Sequence, residues 1–256
     1  MVAEFFKIGL KSEAEYRFHL IMQIFFQIIP VAVTCFIWVS VYNNGGSSTI
    51  GGLTKPEMVG YILLTNIVYS MIGIDSLDIS REIQSGNISN YFIKPMNYLV
   101  YKSSLYLSSI LVTSLGYLFP AIAIFIYYKV PFHKIIIFFI LLVEAIAINL
   151  LVTYLLSSLT FWVYSISSVF YLFNFVMGFF AGTLIPVNIY PAFIRKLNTF
   201  LPFKNMGYEV SASIFINSTK EAASSILNGF VWIVILLVLT KIVWGKGSKR
   251  YEAFGG

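Results

Sequence analysis

Cysteine, histidine and charge are all scarce in this sequence. Its 256 residues include one cysteine, two histidines and eleven acidic side chains. A lone Cys35 excludes an intrachain disulfide or a cysteine metal framework, and its place inside a hydrophobic run reads as a buried spectator. His19 and His133 fall on opposite faces of the layout derived below, so they can neither share a metal nor serve one nucleophile. "GKGSK" at 245–249 superficially matches a phosphate loop. The required G-x-x-x-x-G-K-[ST] fails, with Thr240 in place of the first glycine and Gly247 where Ser or Thr should follow Lys246. No catalytic, metal or nucleotide constellation is present, and the chain is not expected to be an enzyme.

Apolar residues dominate instead: 58% of the chain is hydrophobic, 11% is charged, and mean hydropathy is +0.83. Soluble domains carry roughly 25% charged residues. A soluble fold of this length still needs a polar exterior, whereas lipid solvates apolar surface directly. The composition therefore predicts an all-α polytopic membrane protein. A span needs about 20 apolar residues, and six candidates lie near 19–42, 57–74, 103–128, 135–163, 166–187 and 223–244. The first begins too far in, and is too long, to be a cleaved signal.

The net charge of +6 does not point to nucleic acid, because the basic residues are scattered through short gaps between spans. They read as topology signals and lipid headgroup contacts. With the N terminus in the cytoplasm, ten of the 17 Lys and Arg residues fall inside and seven outside, which places both termini in the cytoplasm. Residues 75–102 then lie inside, the turn at Tyr164 and Ser165 is an inner one, and 188–222 lie outside. Pro191 and Pro202 bracket a segment with adjacent Arg195 and Lys196, so two short interfacial or re-entrant helices are expected there. No repeat, low-complexity tract or soluble domain interrupts what reads as one membrane domain over 1–256.

Three features stand out within that layout. Glu144 is the one acidic side chain deep inside a span, where an ionised residue costs about 2.5 to 3.5 kcal/mol. It is either a relay or substrate contact, or a protonated group bonded across helices to Asn149 or Asn174. Gly178 and Gly182, one turn apart in "GFFAG", would let a neighbouring backbone approach. The polar stretch "REIQSGNISNYFIKPMN" follows the second span. There a short helix is expected from Leu77 to Ser85, with Asp75 and Asp78 near its start. Gly86 should end it in a left-handed conformation, and Pro95 should force Lys94 extended. Ile79 and Ile83 would form an apolar face beside Arg81 and Glu82, suited to a partner's groove. A charge inserted at Ile83 is then expected to uncouple the chain from that partner while leaving it in the membrane.

"REIQSGNISNYFIKPMNYLVYKSS" resembles the segment after the second span in ABC-2-type transporter permeases of the six-helix subgroup. "LIPVNIYPAFIRKLNTFLPFKNMGYEVSASIF" is similar to that subgroup's outer loop, with its proline skeleton at Pro186, Pro191 and Pro202. "GSKRYEAFGG" resembles its short ending, and "EFFKIGLKSEAEYRF" its N-terminal interfacial helix, here within 1–18. Ile93 replaces a leucine usual before the residue preceding proline.

The resemblance implies a permease subunit of an ABC transporter in the cell membrane. Such a subunit is usually an exporter of hydrophobic or amphiphilic cargo working by alternating access. It implies separate ATPase subunits holding ATP and Mg, and a second permease that is either a copy or a paralogous chain. The region 75–95 would be the coupling helix, with Arg81, Glu82, Gly86, Lys94 and Pro95 as its key positions. Two alternatives remain: a secondary carrier driven by an ion gradient through Glu144, and a non-transporting membrane anchor or sensor subunit.

Overall fold

The computed structural model describes residues 2–15, 17–73, 77–92, 96–163 and 166–251. Its helices are α1 (Val2–Glu15), α2 (Arg17–Gly45), α3 (Lys55–Ile72), α4 (Leu77–Gln84), α5 (Ser89–Phe92), α6 (Tyr98–Tyr127), α7 (Phe132–Ser158), α8 (Ser167–Phe180), α9 (Ala192–Thr199), α10 (Tyr208–Phe215) and α11 (Thr219–Arg250). Among the described residues, four helical segments are long and apolar enough to cross a membrane: Ile24–Gly45, Tyr98–Tyr127, Phe132–Phe161 and Thr219–Arg250. The expected second and fifth spans correspond to α3 and α8, which are shorter. At 1.5 Å per residue, the 14 residues of α8 reach about 21 Å.

Local chemistry explains most boundaries. Asn97 caps α6, its side chain accepting from the Leu99 and Val100 amides at 3.0 and 3.2 Å. Ser218 and Glu221 form a capping box at the start of α11: the Ser218 amide donates to Glu221 at 2.8 Å, and the Glu221 amide to Ser218 at 3.4 Å. That cap starts the last long helix at Thr219 rather than near 223. Gly182 takes φ +77 just past α8, and the Thr183 amide returns to the Gly178 carbonyl at 3.3 Å. Gly182 therefore ends α8 and does not pair with Gly178 on a helix face. The nearest group to the open side of Gly178 is the Tyr69 hydroxyl, not a backbone.

One element departs from the all-α expectation. A two-residue-strand hairpin joins α2 to α3, with β1 (Thr49–Ile50) antiparallel to β2 (Leu53–Thr54). Gly51 and Gly52 form its turn at φ 59 and 79, the left-handed pair that a tight hairpin turn requires.

α3 sits at the centre. Leu64, Val68 and Ile72 join Leu141, Ala145 and Ile148 of α7, and Met206, Val210 and Ile214 of the segment before α11, in the main core. α2 instead leaves Phe25, Phe26, Ile28, Ile29, Val33 and Phe36 exposed, as lipid permits and water would not. α1 packs along the first half of α6: Phe5 meets Tyr101 edge-on at 5.0 Å, and Gly9 lies against Ser108.

The gaps between long helices sort to two ends. At one end, Asn188 donates to the Gly51 carbonyl, the Tyr128 hydroxyl to that of Pro56, and Lys134 to that of Ile214 at 2.9 Å. At the other lie α4, α5 and the ends of α6, α7 and α11.

Candidate functional site: a helical knob seated on three helix ends

α4 and α5 form a compact knob at the end opposite the hairpin. Gly86, at φ 78, turns the chain between them. The Gly86 amide bonds to the Ile83 carbonyl at 3.3 Å and the Ile88 amide to that of Glu82 at 3.1 Å. A residue with a Cβ is disfavoured at this φ, which accounts for glycine here.

The knob's apolar face points inward. Ile79 and Ile83 are 5% and 2% exposed and pack with Ile88, Tyr98 and Tyr154. This corrects the expectation that they form the docking face: apolar side chains of a short exposed helix are stabilised by burial against the chain's own aromatic residues. Ser80 adds a hydroxyl contact to Thr160 at 2.7 Å, in the 3₁₀ turn Leu159–Phe161 that follows α7.

Glu82 is likewise an internal contact. Its carboxylate accepts the Tyr98 hydroxyl at 2.6 Å and the Lys102 ammonium at 2.7 Å, both from α6. Each hydrogen bond to a charged group contributes about 1.5–3 kcal/mol, and the pair is largely shielded, with side chains 13% and 22% exposed. Tyr91 stacks on Tyr101 at 5.5 Å. Burial first, and then the Glu82 carboxylate, pushes the Tyr91 hydroxyl up to about 12, so it stays neutral.

What faces outward is polar. Asp78, Arg81, Ser85 and Asn87 are exposed, and Arg81 pairs with Asp78 at 3.3 Å. Lys94 and Pro95 lie outside the described residues, as do Asp75, Tyr164, Ser165, Gly255 and Gly256.

The intramembrane candidates separate rather than converge. Asn149 donates to the Ile72 carbonyl at the end of α3 and to the Tyr106 hydroxyl at 3.2 Å. It thereby satisfies a helix-end carbonyl left without an intrahelical donor. Asn174 is exposed, and its carbonyl accepts from Tyr69 at 3.1 Å. Neither partners Glu144. That side chain lies against Gly229 of α11, and its Oε2 is buried with no hydrogen-bond partner. The seam between α7 and α11 continues through the Thr240 hydroxyl, which donates to the Leu151 carbonyl at 3.3 Å, and through Phe161 seated on Gly247.

At the hairpin end, Pro186, Pro191 and Pro202 each stand immediately before a helical turn: Val187–Ile189, α9, and Phe203–Met206. Proline cannot donate the amide that a helix start leaves free anyway. The same region holds a buried ion pair that sequence reasoning missed. Glu209, 5% exposed, accepts Lys204 at 3.0 Å, Ser225 at 2.6 Å and Asn217 at 3.1 Å. Lys204 and Glu209 are five apart across Gly207, a spacing with no helical periodicity to reveal it.

Two apolar hollows flank Tyr117: one of about 550 Å³ between α6 and α7, and one of about 490 Å³ among α2, α3 and α6, which the half-buried Cys35 lines. Among the described residues, no group of three or more His, Cys, Asp or Glu could hold a metal ion.

The sequence profile of ABC-2 family transporter proteins matches residues 28–255. The chain belongs to the ABC-2 family of transporter proteins. It is accordingly a permease component of an ABC transporter, and membership implies association with ABC ATPase partners. A search of curated proteins returns no match. In this ABC-2 permease the matched region takes in the knob, the proline-started outer segment and nearly all of the C-terminal stretch that carried the resemblance, while the N-terminal helix precedes it.

Proposed function

We propose that this ABC-2 permease exports a hydrophobic or amphiphilic substrate by alternating access, driven through the α4–α5 knob by a separate ATPase subunit. On this reading α2, α3, α6, α7, α8 and α11 are the six spans. The knob and both termini lie in the cytoplasm, the hairpin end lies outside, and the protein resides in the cell membrane. ATP and Mg bind and react in the partner, and a second permease, identical or paralogous, completes the pathway.

One observation carries the reading: the knob is anchored on its inner side to α6, the end of α7 and α11, and polar on its outer side. A surface loop serving only to connect α3 to α6 has no need of a shielded ion pair. A knob that must pass displacement from a partner into the spans does. Docking then uses the exposed polar face of Asp78, Arg81, Ser85 and Asn87, while Glu82, Ile79 and Ile83 keep the knob attached. The two apolar hollows fall within the usual range of ligand pockets, about 300–1,000 Å³, and suit apolar cargo or lipid tails.

Purification from the native membrane in mild detergent, with mass spectrometry of what co-elutes, tests this directly. A stoichiometric ATPase is expected. Recovery of the chain alone, under conditions that preserve membrane complexes, would shift weight to a carrier. The unpartnered Glu144 oxygen is the observation that keeps a carrier in play. Glu144→Gln abolishes transport in a carrier and only tunes it in an ATP-driven pump.

A further inference from the structure

We infer that the far end of α11 is a second limb of the coupling device, with Trp244 and Tyr251 bracing the knob so that its displacement reaches the α7–α11 pair as well as α6. This rests on the coupling reading above and adds a route to it.

The Trp244 ring lies flat on Tyr98, with centroids 5.4 Å apart and planes within 11°. Tyr98 is the residue that bonds Glu82 of the knob, so Trp244 supports the anchor from behind. Phe161 meets Trp244 edge-on at 5.4 Å, and one helical turn along α11 Gly247 gives Phe161 its seat. Any Cβ at Gly247 would overlap that ring. Just past the last turn, the Tyr251 ring meets Phe161 at 6.0 Å, and its hydroxyl accepts from Ser89 of α5 at 3.3 Å. One helix end thus touches the knob directly, its anchor on α6, and the turn that closes α7.

Packed interiors transmit displacement because they do not compress. The α7–α11 seam extends this contact toward the hairpin end. A push on the knob therefore has a continuous packed route across the bundle. Trp244 and Tyr251 act here as positioning residues, through Tyr98, Phe161 and Ser89.

The test uses the purified complex with its ATPase in vesicles. A fluorescent thiol label is placed at Leu227→Cys, near the opposite end of α11, in a Cys35→Ser background. ATP or a non-hydrolysable analogue should change the label's emission in the parent protein. Trp244→Leu and Tyr251→Ala should each at least halve that response while the ATPase still co-purifies in full, and Trp244→Phe should restore most of it. A full response in Tyr251→Ala, the outermost and least disruptive change, overturns the brace even if Trp244→Leu fails to assemble. If the parent label does not respond to nucleotide although the ATPase is bound, the coupling reading itself fails, and the brace fails with it.

Discussion

Lys102, on the second turn of α6, reaches Glu82 of the knob at 2.7 Å, twenty residues back along the chain. The contact ties α4 directly to α6, and it is shielded enough to resist screening by salt. Removing either partner strands the other. Glu82→Gln and Lys102→Met should each destabilise the protein, and the double variant should recover part of the loss. A coupling energy of about 1–2 kcal/mol is expected, within the range for contacting residues. Thermal unfolding of the purified protein in detergent measures it, and strictly additive losses would show that the pair contributes nothing.

The knob's two faces should respond oppositely to charge. Ile83→Asp places an unpaired carboxylate among Ile79, Tyr98 and Tyr154, at a cost of about 3 kcal/mol or more. Ser85→Asp adds the same charge to an exposed site and should be tolerated within about 0.5 kcal/mol. Limited proteolysis in membranes distinguishes them: early cleavage near the knob is expected in the first variant and the parent pattern in the second. Equal sensitivity would contradict the inward orientation.

The α7–α11 seam makes a paired prediction. A methyl group at Gly229 would collide with the Glu144 carboxyl group. Because the carboxyl is the end of a flexible side chain that can swing aside, Gly229→Ala should lower stability by no more than about 1 kcal/mol, the low end of overpacking costs. Glu144→Ala should relieve it when combined with Gly229→Ala. Melting temperatures of the single and double variants decide this, and no relief in the double variant would place the strain elsewhere.

The Lys204–Glu209 pair is the most deeply shielded ion pair among the described residues, at 16% and 7% side-chain exposure. Glu209→Gln leaves Lys204 without its counter-charge and should cost about 3–5 kcal/mol. Glu209 also holds Ser225 at the start of α11, so the loss should loosen the hairpin end first. Hydrogen exchange should rise over α10 and the first turns of α11 before the knob changes. A uniform rise over the whole chain would indicate global unfolding instead.

Much of this was legible in the sequence because its causes are local. Apolar length located the long helices, Gly86 its left-handed turn, and Pro191 and Pro202 a segment of short helices between the last two expected spans. The misreadings have one physical source: side-chain direction depends on what lies across the space. Ile79 and Ile83 have the same amphipathic spacing whether their face meets a partner or Tyr154. Glu82 reads as a docking charge until Tyr98 and Lys102 are seen beside it. The Lys204–Glu209 pair crosses a break at Gly207, and of the partners assigned to Glu144, Asn149 is engaged by Ile72 and Tyr106 while the Asn174 side chain is exposed. The hairpin did leave a signal, two glycines between "TI" and "LT", but strands of two residues carry no alternation to weigh against helix.

The central claim is that a separate ATPase docks on the outward polar face of the knob, and site-directed photo-crosslinking tests it most directly. A photoreactive group is placed at Ser85 on that face, or at Gly45, which has open space around it at the opposite end. Each labelled protein is irradiated in native membranes. The expected result is an adduct of permease and ATPase from Ser85 and none from Gly45. An ATPase adduct from Gly45, or none from Ser85 in membranes where the ATPase co-purifies with the chain, would contradict it.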